Sequence, residues 1–386
     1  MNTNRERLNA IFHYENYDRM PIVHFGFWRD TLWKWVKEGH LTSEEVQRHI
    51  DLQSYKFDGN VGEDAIARKL GFCDNIINYT GQKSGWYDVP LFPLFEEKII
   101  EQKEDGQFVK LDQDGVFVTG TVGVTTIPGE IGYTLKDRES WEKYYLPKMQ
   151  WTEERLDMEE LEKMVEENDT REKFTCVYCG SLYGKLRNFW GITELSYVQV
   201  DDPDLFKECI DVIGDLSYQI VKHTLATGVK LDFAHYWEDI SYNRGSLVNP
   251  KVFREFVGKH YRRISDECNK HGIDIICVDS DGLVDDLVPV WLDNGVNTML
   301  PLEVGSWEYD FSAMRKKFGK EVRGIGNMDK QCLLKDKKAV DHQVERAKRL
   351  VDLGGYVPCF DHRIAPEAEW DLVKYYCERM KEELWK

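Results

Sequence analysis

The chain has 386 residues and a formal net charge of −18. This acidic balance argues against binding to the phosphate backbone of nucleic acids, which needs clustered Lys and Arg. No apolar run reaches the roughly 18 residues of a membrane span, and the N-terminal segment lacks the apolar core of a signal peptide. We therefore expect a cytoplasmic protein that acts on a small molecule.

Short β-rich runs alternate with amphipathic helical segments, a rhythm typical of parallel α/β proteins. The runs are PIVHFGFW (21–28), FTCVYCGS (174–181), VKLDFAHYW (229–237), IDIICVDSDG (273–282), VNTMLPLEVG (296–305), EVRGIGNMD (321–329) and GGYVPCFDH (354–362). We place an eighth strand near residues 54–60. The pattern predicts one (β/α)8 TIM-barrel domain over residues 1–386, with an N-terminal extension. A doubly wound sheet is the alternative, but no G-x-G-x-x-G follows any strand.

Residues from about 95 to 135 differ from the rest. Alternating side chains and turns at Glu104-Asp105-Gly106 and Gln113-Asp114-Gly115 predict an antiparallel β-meander. We interpret it as an insertion over the barrel. It serves either as a lid or partner-docking face, or as a plain structural flap.

The nine cysteines are scattered along the chain, as expected for reduced thiols in a cytoplasmic protein. Cys176 and Cys179 form a lone C-x-x-C within a predicted strand. Because strand side chains alternate, their thiols should point to opposite faces. We interpret the pair as structural.

Polar side chains follow the predicted strands, and in a barrel the carboxyl ends of the strands converge on the active-site face. The set comprises His24, Cys179, His235, Glu238, Asp239, Asp279, Asp281, Glu303, Asn327, Asp329, Cys359, Asp361 and His362. This concentration of carboxylate, imidazole and thiol groups indicates a metal or acid/base site.

Asp279 and Asp281 are spaced i, i+2 at a strand end, so their side chains point the same way. Two like charges there need relief by solvent, a cation or a proton. The alternative is a surface loop whose aspartates cap a helix.

Three other groups have both structural and chemical interpretations. Glu303 follows a buried strand and needs a partner, either a cation or a basic side chain such as Arg323. His362 is either a structural histidine or a metal ligand, with Cys359 and Asp361 beside it. Glu238 and Asp239 either cap and bridge loops or serve as acid/base groups.

Several of these segments resemble the uroporphyrinogen decarboxylase superfamily over nearly the whole chain. The matching stretches are RERLNA (5–10), YDRMP (17–21), WEDISYNRGSLVNPKVFREF (237–256), DSDGLVDDLVPVWLDNGVN (279–297), GIGNMDK (324–330) and GGYVPCFDH (354–362). The superfamily's fold is a (β/α)8 barrel.

One branch of that superfamily decarboxylates a porphyrinogen and binds it with arginines in an R-Q-A-G-R pattern after the first strand. Here the corresponding stretch reads His24-Phe25-Gly26-Phe27-Trp28-Arg29. The arginine pair of that pattern is missing here, and a net charge of −18 is ill suited to binding a substrate with four carboxylates. We therefore do not expect porphyrinogen decarboxylation.

The other branch comprises zinc-dependent, corrinoid-linked methyltransferases with a His-x-Cys-Gly and a final Cys before Ile-Ala-Pro. These positions fall on Asp279-Ser280-Asp281-Gly282 and on His362, and a glutamate between them falls on Glu303. The resemblance thus implies the same positions with oxygen and nitrogen ligands in place of sulfur. Such a set still accepts zinc, and it opens the site to harder cations.

The resemblance leads us to expect a methyltransferase that takes a methyl group from a small O-methyl donor, such as a methoxylated aromatic, to a corrinoid protein. Zinc would act as a Lewis acid, and the partner's reduced cobalt would be the nucleophile. The zinc ligands would come from Asp279, Asp281, Glu303 and His362. Glu238, Asp239 and Asp361 would support the ligands or deliver a proton, and His24, Trp28, Trp237 and Cys359 would line the substrate pocket.

Two other functions fit the same residues. One is a metal-independent decarboxylase of a small carboxylate with Asp residues as acid and base. The other is a non-catalytic member that binds a corrinoid or another ligand. A homodimer is compatible with either.

Overall fold

The computed structural model describes residues 3–55, 63–78, 90–121, 128–305 and 307–385. Its strands are β1 (Lys98–Gln102), β2 (Gln107–Leu111), β3 (Val116–Thr121), β4 (Gly129–Tyr133), β5 (Cys176–Gly180), β6 (Phe233–Trp237), β7 (Ser241–Tyr242), β8 (Gly245–Ser246), β9 (Ile276–Asp279), β10 (Thr298–Leu302), β11 (Arg323–Met328) and β12 (Tyr356–Phe360).

The α-helices are α1 (Asn4–Phe12), α2 (Arg29–Lys37), α3 (Ser43–Tyr55), α4 (Glu63–Leu70), α5 (Arg138–Ser140), α6 (Met158–Glu166), α7 (Tyr183–Trp190), α8 (Ile192–Asp201), α9 (Pro203–Ala226), α10 (Pro250–Val252), α11 (Gly258–Lys270), α12 (Val288–Asp293), α13 (Phe311–Phe318), α14 (Lys337–Val351) and α15 (Trp370–Leu384). Within the described ranges, no helix has both the length and the apolar character needed to cross a membrane.

Six parallel strands form the central sheet, in the order β12-β11-β10-β9-β6-β5. They coincide with six of the seven runs predicted from sequence. Strands buried on both faces have continuous apolar sequences rather than alternating ones. β9 is an example, since every one of its residues is buried.

Two extended segments, 22–28 and 73–78, occupy the remaining positions of the ring. The contacts are parallel bridges from His24 to Asn75 and from Phe27 to Ile364, and a hydrogen bond from the Cys176 N–H to the Asn78 carbonyl (2.7 Å). The predicted (β/α)8 barrel is thereby confirmed. Segment 22–28 is joined to segment 73–78 by three backbone hydrogen bonds and to Ile364 by two.

The prediction of an eighth strand near residues 54–60 was wrong where it can be compared. Residues 54 and 55 end α3, and the rest of that range lies outside the described residues. The segment 73–78 takes the position instead. It is short, and its strand character comes from its neighbours rather than from a long apolar run.

The predicted meander is confirmed as a four-stranded antiparallel sheet in the order β1-β2-β3-β4. Val116 and Val118 of β3 are buried at 3% and 5% exposure, so one face packs inward. The Lys185 Nζ of α7 lies 2.8 Å from the Asp114 Oδ2 at the β2–β3 turn. The sheet is therefore attached to a helix that follows a barrel strand.

Two hydrophobic cores lie on either side of the barrel wall. The inner core contains Cys176, Cys277 and Cys359, and the outer core between wall and helices contains Cys179. The two thiols of the C-x-x-C therefore do lie on opposite faces. All nine cysteines are free.

The N-terminal extension closes the amino end of the barrel through Asp232, whose side chain is 4% exposed. This carboxylate accepts hydrogen bonds from the Arg5 Nε (2.7 Å), the Asn9 Nδ2 (3.1 Å) and the Thr175 N–H (2.9 Å). The Arg171 Nη2 lies 3.3 Å away. The buried Asp232 carboxylate thus joins α1 and the segment 171–175 to the start of β6.

Replacing Asp232 with Ala should lower the free energy of unfolding by about 3 kcal/mol or more, because it leaves buried guanidinium groups without their partner. Urea denaturation followed by circular dichroism measures the change. Asp169→Ala is the matched control, since Asp169 is 84% exposed and pairs only with exposed Lys230; no measurable change is expected. Equal effects of both substitutions would contradict this role for Asp232.

Candidate active site at the carboxyl end of the barrel

The predicted site residues come from neighbouring strands whose carboxyl ends lie at one end of the barrel. Asp279 ends β9, Glu303 directly follows β10, and Asp361 directly follows β12. Because these strands are parallel members of one barrel, their ends meet at the face where TIM barrels bind substrates.

Asp281, Glu303 and His362 lie together at this mouth. The His362 Nε2 is 3.5 Å from the Asp281 Oδ2. The Glu303 Oε2 accepts a hydrogen bond from the N–H of Gly282, the residue after Asp281 (2.8 Å). The buried His362 Nδ1 has no hydrogen-bond partner among the described residues. An imidazole and two carboxylates are thus neighbours, as the sequence predicts.

Asp279 lies deeper, at 5% exposure, with its Oδ2 3.8 Å from the His235 Nε2. Burial raises the pKa of Asp279 well above its usual value, and the charges of Asp281 and Asp239 raise it further. Burial lowers the pKa of His235 to about 3. At neutral pH that imidazole is uncharged, so it cannot neutralise the aspartate. The proximity of Asp281 therefore disfavours ionisation of Asp279, in the direction that the sequence predicts.

Aromatic rings wall the mouth on the side of His362. Trp28 stacks on the imidazole, with ring centroids 5.7 Å apart and planes 23° from parallel. Phe25 meets the same imidazole edge-on at 6.2 Å. Trp28 therefore lies where sequence analysis places a pocket wall, and it places a flat apolar surface beside the Asp281–His362 pair.

Arg187 is a site residue that the sequence analysis missed. Its guanidinium lies over the Trp237 ring at 5.9 Å, donates to the Asp239 carbonyl, and lies 3.3 Å from the Asp239 Oδ2. Asp239 has φ +49°, a left-handed conformation that costs a non-glycine residue energy. Arg187 holds that turn. Its position on α7, far along the chain, gives no local motif that could have revealed this.

Asp239 is the acid/base candidate that the structure brings to the mouth. Burial and the neighbouring charge of Asp281 raise its pKa, although Arg187 opposes the shift. Its side chain is 29% exposed. A carboxyl group with a raised pKa and access to solvent is suited to proton transfer near neutral pH.

Glu238 and Asp361, the other two acid/base candidates, use their oxygens for backbone N–H groups. Glu238 is fully buried and accepts from the Leu182 N–H (3.0 Å) and the Gly184 N–H (2.6 Å) at the start of α7, and from the Tyr261 hydroxyl of α11 (2.7 Å). Asp361 accepts from Val304 (3.0 Å) and Lys330 (3.1 Å). These carboxylates position the strand-end loops. The partial positive charge at the N-terminus of α7 stabilises the negative charge of Glu238, which accounts for its burial.

His24 and Cys359, predicted to line the pocket, are not brought to the mouth. The His24 ring contacts the Asp64 Oδ1 (3.2 Å) on one side and accepts from the Gly26 N–H (3.2 Å) on the other. Cys359 is buried in the inner core, where burial raises the pKa of its thiol. Both are occupied by packing or hydrogen bonding.

The predicted zinc ligands fit a shared ion only in part. In a tetrahedral site, two ligands about 2 Å from zinc have donor atoms a little over 3 Å apart. The 3.5 Å between the Asp281 Oδ2 and the His362 Nε2 is close to that separation. Across the described residues, however, no three His, Cys, Asp or Glu side chains converge as a metal site requires.

Comparisons with known proteins agree with the fold. A family model of uroporphyrinogen decarboxylase (URO-D) matches residues 189–383, just over half of the 386-residue chain. A solved structure of a methyltransferase from Methanosarcina mazei superposes with a TM-score of 0.58 at 15% sequence identity, covering 98% of each chain. Among curated proteins, none matches. The structural likeness shows the barrel, and the family match includes the segments that carry Asp279, Asp281, Glu303 and His362.

The buried Asp64 that orients His24 should make stability depend on pH. Its oxygens lie 2.7 Å from the Lys173 Nζ and 3.2 Å from the His24 Nε2. Burial would raise its pKa, but these partners hold it well below the usual 3.8. The stabilisation is therefore complete above about pH 5, where the carboxyl is ionised in the unfolded chain as well, and is lost as pH falls further. In urea denaturation from pH 7 to 3, the stability difference between wild type and Asp64→Asn should shrink.

Asp74→Asn provides a control of opposite sign. Burial raises the pKa of Asp74, and the Asp64 charge adds to the shift. The folded protein therefore carries an unfavourable ionised Asp74 above its usual pKa. As pH falls and this carboxyl takes up a proton, the free energy of unfolding of the wild type should rise relative to that of Asp74→Asn. A pH-independent difference for Asp64→Asn would contradict the assignment.

Proposed function

Because this chain belongs to the uroporphyrinogen decarboxylase family, we propose that it is a methyltransferase that moves a methyl group from a small O-methyl donor to a corrinoid protein. The observation that carries the proposal is the stacked Trp28–His362 pair beside Asp281. A methoxylated aromatic ring could lie against such a wall with its ether oxygen near the acidic groups.

The donor reaction needs a proton as well as a methyl acceptor. The reduced corrinoid of the partner supplies the electron pair that takes the methyl group. The C–O bond breaks, its electron pair stays on the oxygen, and a proton converts that oxygen to a hydroxyl. We assign this proton to Asp239, whose carboxyl is accessible and has a raised pKa. Arg187 lies 3.3 Å from the carboxyl and stabilises the carboxylate that proton transfer leaves behind. The accessible carboxyl then takes up a new proton from solvent before the next turnover.

Asp281 and His362 would hold a zinc ion at this mouth, with Glu303 beside them. Bound there, it would supply a Lewis acid for the ether oxygen. The donor set is carboxylate and imidazole, which zinc accepts.

Methyl transfer is tested directly with reduced cobalamin and a panel of methoxylated aromatic compounds, by following methylcobalamin formation. Asp239→Asn should lower kcat about 100-fold or more, because it removes the proton donor. Glu308→Gln is the control, since Glu308 lies outside the cluster, and it should keep wild-type rates. The absence of methylcobalamin with every donor would overturn the proposal.

Metal analysis of the purified protein tests the zinc separately. Because only two described side chains lie at ligand spacing, zinc should bind weakly, be removed by brief chelation, and be lost in Asp281→Asn. Plasma mass spectrometry before and after chelation measures this. Tight stoichiometric zinc that survives both chelation and Asp281→Asn would contradict this ligand assignment.

A metal-independent decarboxylase is the second candidate. The crowding that raises the pKa of Asp279, Asp239 and Glu303 supports it, because protonated and ionised carboxyl groups would lie side by side. Release of carbon dioxide from a panel of aromatic and aliphatic acids, without methylcobalamin formation, would favour this candidate over methyl transfer.

A further inference from the structure

A small β-hairpin, β7 and β8, stands beside the candidate site. The Ile240 N–H donates to the Ser280 Oγ (3.1 Å), and the Leu283 N–H donates to the Tyr242 carbonyl (2.9 Å). The hairpin is thus bonded on both sides of Asp281, so its position and that of the site loop are linked.

Gly282 shows how closely the two segments approach. It has φ +87°, and a Cβ atom there would lie 2.6 Å from the Tyr242 backbone nitrogen. Real side chains do not tolerate such a separation from backbone, so glycine is required at this position. The hairpin therefore lies directly on the loop that carries Asp281 and forms part of the rim.

The tip of the hairpin, residues 242–244, projects into solvent. Tyr242 is 46% exposed, and Asn243 and Arg244 are also exposed. No ion pair joins Arg244 to a carboxylate in the part of the chain that the structure describes. Tyrosine and arginine are the residues most enriched at energetically important positions of protein interfaces, and here both stand on a rigid base.

The charge around the tip restricts what can bind there. The chain carries −18 overall, and Asp239, Asp281 and Glu303 lie at the mouth. An acidic surface approaching the mouth would meet repulsion from these carboxylates, whereas Arg244 presents an exposed cation at the tip. A small donor would bind deeper, against Trp28 and His362, and the solvent-directed tip would not enclose it. A macromolecular acceptor must cross the rim to reach the methyl group.

We propose that the hairpin tip is the docking contact for the corrinoid protein, with an acidic or carbonyl-rich patch of that partner against Arg244 and Tyr242. This inference rests on the proposed function. It adds the surface and the charge of the partner's contact. Electrostatic complementarity of this kind acts mainly on the rate of encounter and weakens with salt.

The test compares two methyl acceptors with the same enzyme. One acceptor is free reduced cobalamin. The other is a purified corrinoid protein, chosen from a panel because the wild-type enzyme methylates it. Arg244→Glu and Tyr242→Ala should each lower kcat/KM for the protein acceptor tenfold or more and leave transfer to free cobalamin within twofold. Tyr197→Ala is the control and should change neither, since Tyr197 on α8 is also an exposed tyrosine (59% against 46% for Tyr242).

The outcomes separate docking from chemistry. Unchanged transfer to the corrinoid protein, or equal losses with both acceptors, would overturn the docking contact. Methylation of free cobalamin but of no corrinoid protein would also overturn it, while leaving methyl transfer intact. No methylation of either acceptor would remove the proposed function and this contact with it. A change in the sedimentation of Arg244→Glu alone would instead assign the tip to contact with a second copy.

Discussion

The repulsion between Asp279 and Asp281 is the constraint around which the mouth of this barrel is organised. Asp279 ends β9 and Asp281 follows two residues later. The imidazole that pairs with Asp279, that of His235 at 3.8 Å, has a pKa lowered by burial and is uncharged at neutral pH. A buried carboxylate without a cation raises its own pKa and that of its neighbours. The cluster therefore stores unfavourable energy that a proton, a metal ion or a bound ligand can release.

The surrounding residues keep that cluster in place. Glu238 fixes the start of α7 and thereby places Arg187, which holds the strained turn at Asp239. Asp361 binds the backbone after β10 and β11, so the loops with Glu303 and Lys330 keep their spacing. Glu238 and Asp361 thus set the separation of the carboxylates at the mouth through the backbone groups that they bind.

The sequence predicts the barrel well because buried parallel strands produce continuous apolar runs, as in β9 and β12. It also locates the strand-end residues, since parallel strands bring their carboxyl ends together. It does not predict which carboxylates face the mouth. Glu238 and Asp239 are adjacent in sequence, yet one caps a helix and the other reaches solvent, and only the packing of α7 decides between them. The segment 73–78 escapes prediction for a similar reason, since it is too short to show a pattern.

The few backbone hydrogen bonds that join segments 22–28 and 73–78 to the rest of the ring have a consequence for motion. Between β11 and β12 five residue pairs form a ladder, whereas among the described residues one backbone hydrogen bond joins segment 73–78 to β5 and two join segment 22–28 to Ile364. Local opening costs least where such bonds are few. Backbone amides in this sector should therefore exchange with solvent sooner than those of β9 to β11. Trp28 is the last residue of segment 22–28. Transient opening of this part of the barrel would therefore widen the mouth beside Trp28, where a flat molecule could enter.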